Sequence, residues 1–434
     1  MTPSAAWRRR RIGVAVLGIA VLHALFYALV VPPWSLMNEP QHLDYVLALR
    51  DGLRIPDIRQ PLRADVMNAV WVSERWRTYR QARPPTPEAA AGRGGRSYEG
   101  YQPPAYYALM VPLAALGGRD PLRAMWAIRI VSPIFLAALA GIAWALARRW
   151  FPGEGDLVPI SAALSVAAVP VVAGSCARVT NDGLVAVLVG GGVIAVLDWI
   201  ERPSLRRSAA VGVFVAAALL TKSTGALLLG VTAIGLGVVW RRGRLAPAVV
   251  LAAIGPVVLA SVAWAAWTYG RYGVLDGTRA FLAVYGPASV SPLSPLAFVR
   301  DLWWSAWVPS PVFFFTGGRT KHLAVTGLLT GLVAIAGLGL ARRPRPLSAI
   351  GISVVLGGGT LAILWMGNIA GLVPPVGRVL VPSYPAFAAL TAGGWARLMG
   401  RRAALVPAVV VWVVAVAYEI LWLVPVLRPE WLRL

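Results

Sequence analysis

The sequence predicts an all-α polytopic membrane protein, and three observations carry that prediction. Of the 434 residues, 58% are hydrophobic and only 14% charged, against about 25% charged in soluble domains. Mean hydropathy is +0.67. Apolar runs long enough to cross a hydrocarbon layer of about 30 Å recur at 12–31, 124–147, 157–176, 182–199, 246–268, 323–340, 348–367, 379–396 and 404–425. This apolar content excludes a disordered chain, and a soluble enzyme of the same composition would have no surface to offer water. The net charge of +23 would suit nucleic-acid binding in a polar chain. Here the basic residues sit in loops and anchor helix ends, so membrane lipid and not nucleic acid is the expected partner. A single cysteine, Cys176, excludes an internal disulfide.

Each element follows from run length and arginine placement. The run from Ile12 to Val31 has 20 residues, more than the apolar core of a signal peptide, and reads as a retained first helix. Six basic clusters lie between the runs: Arg8 to Arg11, Arg148/Arg149, Arg202/Arg206/Arg207, Arg241/Arg242/Arg244, Arg342/Arg343/Arg345 and Arg397/Arg401/Arg402. The positive-inside rule puts all six in the cytoplasm. Residues 104–117 then lie at the outer interface, because a crossing there would turn five later clusters outward. Residues 209–240, basic at both ends, must go out and return, with the short limb Ala209 to Leu220 ending at Lys222. Eleven crossings of the cytoplasmic (plasma) membrane result, with the N-terminus cytoplasmic and the C-terminus extracytoplasmic.

The chain so divides into a cytoplasmic tail and first helix (1–31), an outer catalytic loop with interfacial helices (32–123), helices two to seven (124–268), a second outer loop (269–322) and helices eight to eleven (323–434). Residues 83–97, RPPTPEAAAGRGGRS, have the composition of a mobile linker. No internal repeat is visible, so an inverted-repeat transporter lacks its usual cue.

Acidic residues are scarce, and nine of the 18 lie between Glu39 and Asp120. Immediately after the first helix comes Asn38-Glu39-Pro40-Gln41-His42-Leu43-Asp44. Pro40 suits the first turn of a new helix, which makes Asn38 or Glu39 its N-cap and puts Glu39 and His42 on one face with Asp44 to the side. A carboxylate held against an apolar wall can serve as a general base; the same cluster also reads as a cap with salt bridges. A second group contains Glu99, Tyr101 and Gln102 as substrate-binding candidates, within a run of tyrosines that equally suits an interfacial belt. Within or beside the spans lie Asp182, Lys222, Arg378 and Glu419. Lys222 is placed to hold a phosphate as a point charge, and Arg378 to grip the same anion or to snorkel. Asp182 suits a helix cap, Glu419 has no evident partner, and His23 and His322 read as packing or interface residues. No HExxH, cysteine-rich or Walker-type pattern is present.

At these residues the chain resembles the GT-C superfamily of membrane glycosyltransferases, and within it the bacterial relatives of the protein O-mannosyltransferases and the lipid A aminoarabinose transferase. The family's acidic pair after the first helix is matched by Asn38-Glu39-Pro40. Its Lys/Gln-Pro-Pro-Leu-Tyr-Tyr segment is matched by Gln102-Pro103-Pro104-Ala105-Tyr106-Tyr107. Asn181-Asp182, Leu220-Thr221-Lys222 and Gly377-Arg378-Val379-Leu380-Val381-Pro382 match three further motifs. The resemblance implies transfer of a sugar from a polyprenyl-phosphate carrier to an extracytoplasmic glycan, lipid or protein. Asn38 stands where the family has its basic carboxylate, and an amide accepts no proton from a hydroxyl. That leaves Glu39 as the base, a base elsewhere, or an inactive chain. The family's metal ligands have no clear counterparts, since Glu99 is displaced from the position beside Gln102.

The expectation carried forward is an inverting transferase in which Glu39 deprotonates the acceptor and Lys222 and Arg378 stabilise the departing polyprenyl phosphate. Asn38, His42, Asp44 and Asp182 would support them. A non-catalytic scaffold derived from such enzymes and a lipid or solute transporter are the rivals.

Overall fold

The structure is a computed structural model, and it describes residues 3–34, 38–74, 82–91, 95–244, 246–286, 292–307, 321–341, 347–369 and 377–424. It is helical: among the described residues the β contribution is one isolated bridge, Pro61 to Arg96. Helix α1 (Pro3–Val30) leads into the expected outer region, which contains α2 (Glu39–Gly52), α3 (Ala64–Val72), α4 (Pro87–Ala91), a 3-10 turn at Tyr98–Tyr101, and α5 (Ala105–Leu116). The chain re-enters the bundle through α6 (Pro121–Val131) and α7 (Ile134–Trp150), then α8 (Leu157–Ala168) and α9 (Pro170–Ser175). Next come α10 (Asp182–Glu201), α11 (Leu205–Leu219), α12 (Leu227–Arg241), α13 (Pro247–Tyr272), α14 (Gly277–Tyr285) and α15 (Pro295–Ser305). The last described elements are α16 (Lys321–Ala341), α17 (Leu347–Ser353) running through a π-turn into α18 (Gly359–Ile369), α19 (Tyr384–Met399) and α20 (Val406–Tyr418).

Among the described residues, seven helical stretches are long and apolar enough to cross a membrane: 9–30, 121–150, 182–201, 223–241, 247–285, 351–369 and 401–421. Helices α8–α9, α11, α16 and α19 stand at the other four expected positions. Prolines explain the interruptions. Pro133 and Pro170 offer no backbone N–H, so α6 breaks from α7 and α8 from α9 at those points.

Two cores result. The larger is bundle-wide, built of small and β-branched side chains from α1, α7 to α12, α19 and α20. The smaller belongs to the outer region, where Trp34, Leu43, Tyr45, Val66, Tyr106 and Met125 are among its buried members. The outer region is therefore a folded unit with its own apolar interior. Within the expected segment 104–117, Ala105–Leu116 form helix α5, which packs on α2. The linker expected at 83–97 is corrected in part: 87–91 is helical with Ala90 and Ala91 buried, and the Gln41 amide donates to Ala91 O at 2.9 Å. Burial of that alanine pair outweighs the Gly/Pro-rich composition around it. Residues 92–94 of that segment, like the start of the expected cluster at Arg342, lie outside the described residues.

Arginine clusters gather at one end of the bundle through shared contacts. Arg9 pairs with Asp156 at 2.7 Å and Arg149 with Glu201 at 2.8 Å. Arg242 donates to Ile200 O at 2.8 Å and Arg401 to Gly153 O at 2.9 Å. Glu419, without a partner in the sequence reading, meets His23 of α1 at 2.6 Å, while the other ring nitrogen lies 2.6 Å from Ala167 O. A carbonyl only accepts, so that nitrogen carries a proton. The proton between His23 and Glu419 leaves the pair neutral overall whichever partner holds it.

Helices α16 and α19 approach backbone to backbone. A Cβ on Gly394 would lie 2.3 Å from Ala336 O, and one on Gly339 1.9 Å from Gly394 O. Without a hydrophobic drive between helices in lipid, such small-residue contacts supply the packing that holds them together. Gly394→Leu is expected to separate α16 from α19 and lower the thermal unfolding midpoint in detergent by several degrees. Gly337→Ala, at a position with no neighbour within 4 Å, should leave it unchanged or raise it slightly.

Candidate active site

Four chain segments meet at one buried ion pair. Glu39, the first residue of α2, is held by Arg129 of α6, with Nε to Oε1 at 2.8 Å and a second bond from Nη2 to Oε2 at 2.5 Å. The same carboxylate accepts the backbone N–H groups of Trp34 at 3.1 Å and Val179 at 3.2 Å. Arg129 spends its remaining hydrogens on the end of α1 and the residues after it: Ala28 O at 3.3 Å, Val31 O at 2.6 Å and Pro32 O at 3.1 Å. These are carbonyls that a helix end leaves without intrahelical donors. Burial alone would raise the Glu39 pKa, but the Arg129 charge and hydrogen bonds with the Val179 N–H outweigh it and hold the carboxyl below the usual glutamate range.

The expected role of Glu39 needs correcting on this geometry. Both oxygens are occupied by Arg129 and two backbone N–H groups, so the carboxylate has no lone pair left for an acceptor hydroxyl. Arg129 was missed in the sequence, although an arginine inside the apolar run 124–147 is the signal that would have found it. Glu39 and His42, three apart in the first turn of α2, take different partners: Glu39 pairs with Arg129, and His42 with Asn38 and Tyr107.

The neighbouring residues form a second network. Asn38 is the N-cap of α2 by position, but its side chain makes no capping bond. Its Nδ2 donates to Glu99 Oε1 at 2.8 Å and to His42 Nε2 at 3.1 Å, and its Oδ1 accepts from Arg378 at 3.5 Å. An amide between a carboxylate and a guanidinium has one sensible orientation, NH2 toward the acid and oxygen toward the cation. His42 Nε2 is then the acceptor, and Nδ1–H donates to Tyr107 Oη at 2.8 Å. Burial, opposed by Glu99, lowers the His42 pKa, which keeps the ring neutral at neutral pH.

Arg378 leads on to the basic side of the site. It lies 4.0 Å from Asp182, which is paired with Lys222. The turn that carries Lys222 is fixed on both flanks: Asn181 Nδ2 donates to Thr221 O at 3.3 Å, and Ala105 N to Leu220 O at 2.9 Å. Gly225 permits the reversal, since a Cβ there would meet the Ala218 backbone at 2.4 Å. Arg178 adds a cation. Its Nε donates to Gly174 O at 2.6 Å, and burial with repulsion from Arg378 and Arg129 brings it down to about 10. Near the site lies a cavity of about 250 Å³, bordered by Tyr101 and Gln102, by Leu219, Leu220 and Ser223, and by Ser261, Trp264 and Asp276.

The structure thus brings together Asn38, His42, Glu99, Asp182, Lys222 and Arg378, drawn from positions 38 to 378. Asp44 stands apart: it takes the Ser97 hydroxyl and the Arg63 N–H at 3.0 Å, clamping α2 to the strand-like segments beside it, and burial raises its pKa. Tyr101 turns its ring to Phe281 of α14, 4.9 Å away, while Gln102 gives its backbone oxygen to Tyr45 Oη at 3.2 Å. Among the described residues no three His, Cys, Asp or Glu side chains converge as metal ligands, so no step is routed through a metal. His322 lies where side chains are outside the description.

Breaking a buried pair from one side costs about 3–5 kcal/mol, because the other charge is stranded. Glu39→Gln should therefore impair folding in addition to any effect on turnover, seen as a lowered unfolding midpoint, with Glu39→Gln/Arg129→Met closer to wild type. The pair's stabilisation is complete above the ordinary glutamate pKa of 4.5 and is lost as pH falls through the lower folded value. Wild type should consequently lose stability below that range, with a smaller loss in the double variant.

A family model described as dolichyl-phosphate-mannose-protein mannosyltransferase matches residues 102–267, a stretch that includes Gln102, Asp182 and Lys222. No curated protein matches the chain. Among solved structures, the fold is similar to that of ArnT from Cupriavidus metallidurans, determined bound to undecaprenyl phosphate. The TM-score is 0.52 at 16% sequence identity, and the match covers 89% of this chain and 60% of that one. The chain so spans about 60% of the length of ArnT. Residues 102–267 thus carry the pattern of the mannosyltransferase family model, and the chain as a whole has a fold similar to that of ArnT.

Proposed function

We propose that this protein transfers a sugar from a polyprenyl-phosphate carrier to a glycan, lipid or protein acceptor on the outer side of the cytoplasmic membrane, with inversion at the sugar carbon. The observation that carries the reading is the convergence of Lys222 and Arg378 on Asp182 beside the 250 Å³ cavity. Support comes also from the undecaprenyl phosphate bound to ArnT. In a single displacement the acceptor oxygen attacks the sugar carbon as its bond to the phosphate oxygen breaks, and negative charge grows on that phosphate. Lys222 offers a compact ammonium and Arg378 a fork that suits two phosphate oxygens. Asp182 holds Lys222 in place between turnovers, and the low-dielectric surroundings strengthen both contacts with the leaving group. A phosphate leaves without being protonated, so no general acid is required. The arginine clusters at the opposite end of the bundle support placing the N-terminus in the cytoplasm and the site outside.

Asn38 favours a second reading, a scaffold that has lost the chemistry. The two separate in one assay. Protein in nanodiscs receives a panel of radiolabelled undecaprenyl-phosphate sugars with membrane extract as acceptor, and release of undecaprenyl phosphate is followed. Lys222→Ala and Arg378→Ala are each expected to slow release by about 100-fold or more, as loss of one charge-stabilising donor does elsewhere. Both should also weaken binding of undecaprenyl phosphate itself. Absence of release from every donor with the wild-type protein would favour the scaffold.

A further inference from the structure

We infer that Glu99 is the catalytic base of this chain. The inference rests on the transferase reading above. Among the carboxylates around the site, each but one has its oxygens engaged. Glu39 is saturated by Arg129 and two backbone N–H groups. Asp182 is bound to Lys222 and faces Arg378, and Asp44 is bound to Ser97 and Arg63. Glu99 gives Oε1 to Asn38 at 2.8 Å, while its Oε2 is buried with no hydrogen-bond partner among the described residues. A buried carboxylate oxygen without a donor is costly, and the hydroxyl of an acceptor is a group that would complete it.

The identity of residue 38 fits the same conclusion. An Asp side chain there would set a second carboxylate about where the Asn38 amide now lies, 2.8 Å from Glu99. Two carboxylates that close share one proton and cannot both be ionised. The amide removes the conflict and donates to Glu99, and its oxygen ties it to Arg378. His42 is a positioning residue: both ring nitrogens are committed, to Asn38 and Tyr107, and its Nε2 lies 3.8 Å from Glu99 Oε1. The backbone also serves this carboxylate. Gly100 lets the 3-10 turn close against residue 56, where a Cβ would come within 2.1 Å of Pro56 O. Tyr101 and Gln102, next in the turn, border the cavity whose other wall carries the residues flanking Lys222.

The step balances. The acceptor O–H bond breaks and its proton passes to Glu99 Oε2. The oxygen forms a bond to the sugar carbon, the bond from that carbon to the carrier phosphate breaks, and its electron pair stays on the phosphate. Glu99 then releases the proton to water.

The test uses the full chain in nanodiscs with the release assay above, over a range of pH. Glu99→Gln is expected to lower the release rate at least 100-fold, in the range that loss of a general base produces, with binding of undecaprenyl phosphate unchanged. Formate should restore part of the rate to Glu99→Ala, and Asn38→Asp/Glu99→Gln should recover at least a tenth of wild type by placing an acid at position 38. Release by Glu99→Gln at the wild-type rate and pH profile would overturn the role of Glu99 while leaving the transferase reading intact. Loss of undecaprenyl phosphate binding in parallel with rate, or no recovery by formate and by the exchange, would make Glu99 structural and overturn it too. No release from the wild-type protein would overturn both readings together.

Discussion

The pairing of Arg129 with Glu39 is the constraint from which the rest of the architecture follows. Two charges withdrawn from water each cost several kcal/mol, which mutual attraction recovers only when the geometry is good and the remaining hydrogens and lone pairs are satisfied. Here they are, and the partners that satisfy them come from separate segments: the end of α1, the start of α2, α6, and the loop ahead of α10. The unit that follows α1 is thereby fixed to the bundle next to the point where Asn38 and Asp182 both approach Arg378. A tether by apolar contact alone would tolerate sliding; a bidentate guanidinium with carbonyls on its other edge does not.

From that anchor the polar residues sort into two layers. One layer is closed and structural, made of Glu39, Arg129, Asp44 and Ser97. The other runs from Glu99 through Asn38 to Arg378, Asp182 and Lys222, and the neighbours of Glu99 and Lys222 in sequence line a cavity. The amide at position 38 joins acid and base sides without carrying charge itself. It separates a carboxylate from a guanidinium that would otherwise neutralise each other, so a negative oxygen and a positive cradle coexist in one site.

The helical architecture is legible in the sequence because run length and loop charge are local quantities. Apolar runs ended by arginines announce themselves in any window of about 20 residues. The same holds for the turn at Lys222, where a charged residue interrupts a run too short to cross. The residues that converge were also visible as rare polar groups in apolar surroundings, from Asn38 to Arg378. What the sequence does not display is pairing. Arg129 lies 90 positions from Glu39 and Glu99 lies 61 from Asn38, and no period or spacing links them. The assignment of a base therefore depended on which carboxylate had its oxygens already taken. The buried Ala90–Ala91 helix was hidden for a related reason: its stability comes from contacts with α2 and α3 and not from its own composition.

The contact between His23 and Glu419 has a consequence for how the protein is made. The two are 396 positions apart, so α1 enters the bilayer long before α20 is synthesised. During that interval His23 has Ala167 O as a partner and lacks the carboxylate. An ionised carboxylate in hydrocarbon is strongly disfavoured, which means Glu419 gains most by docking at once on the one imidazole awaiting it. Insertion of α20 is thus rewarded only if α1, α8 and α9 are already packed. The pair acts as a check on assembly order, and a chain in which the early helices were misplaced would keep α20 from settling.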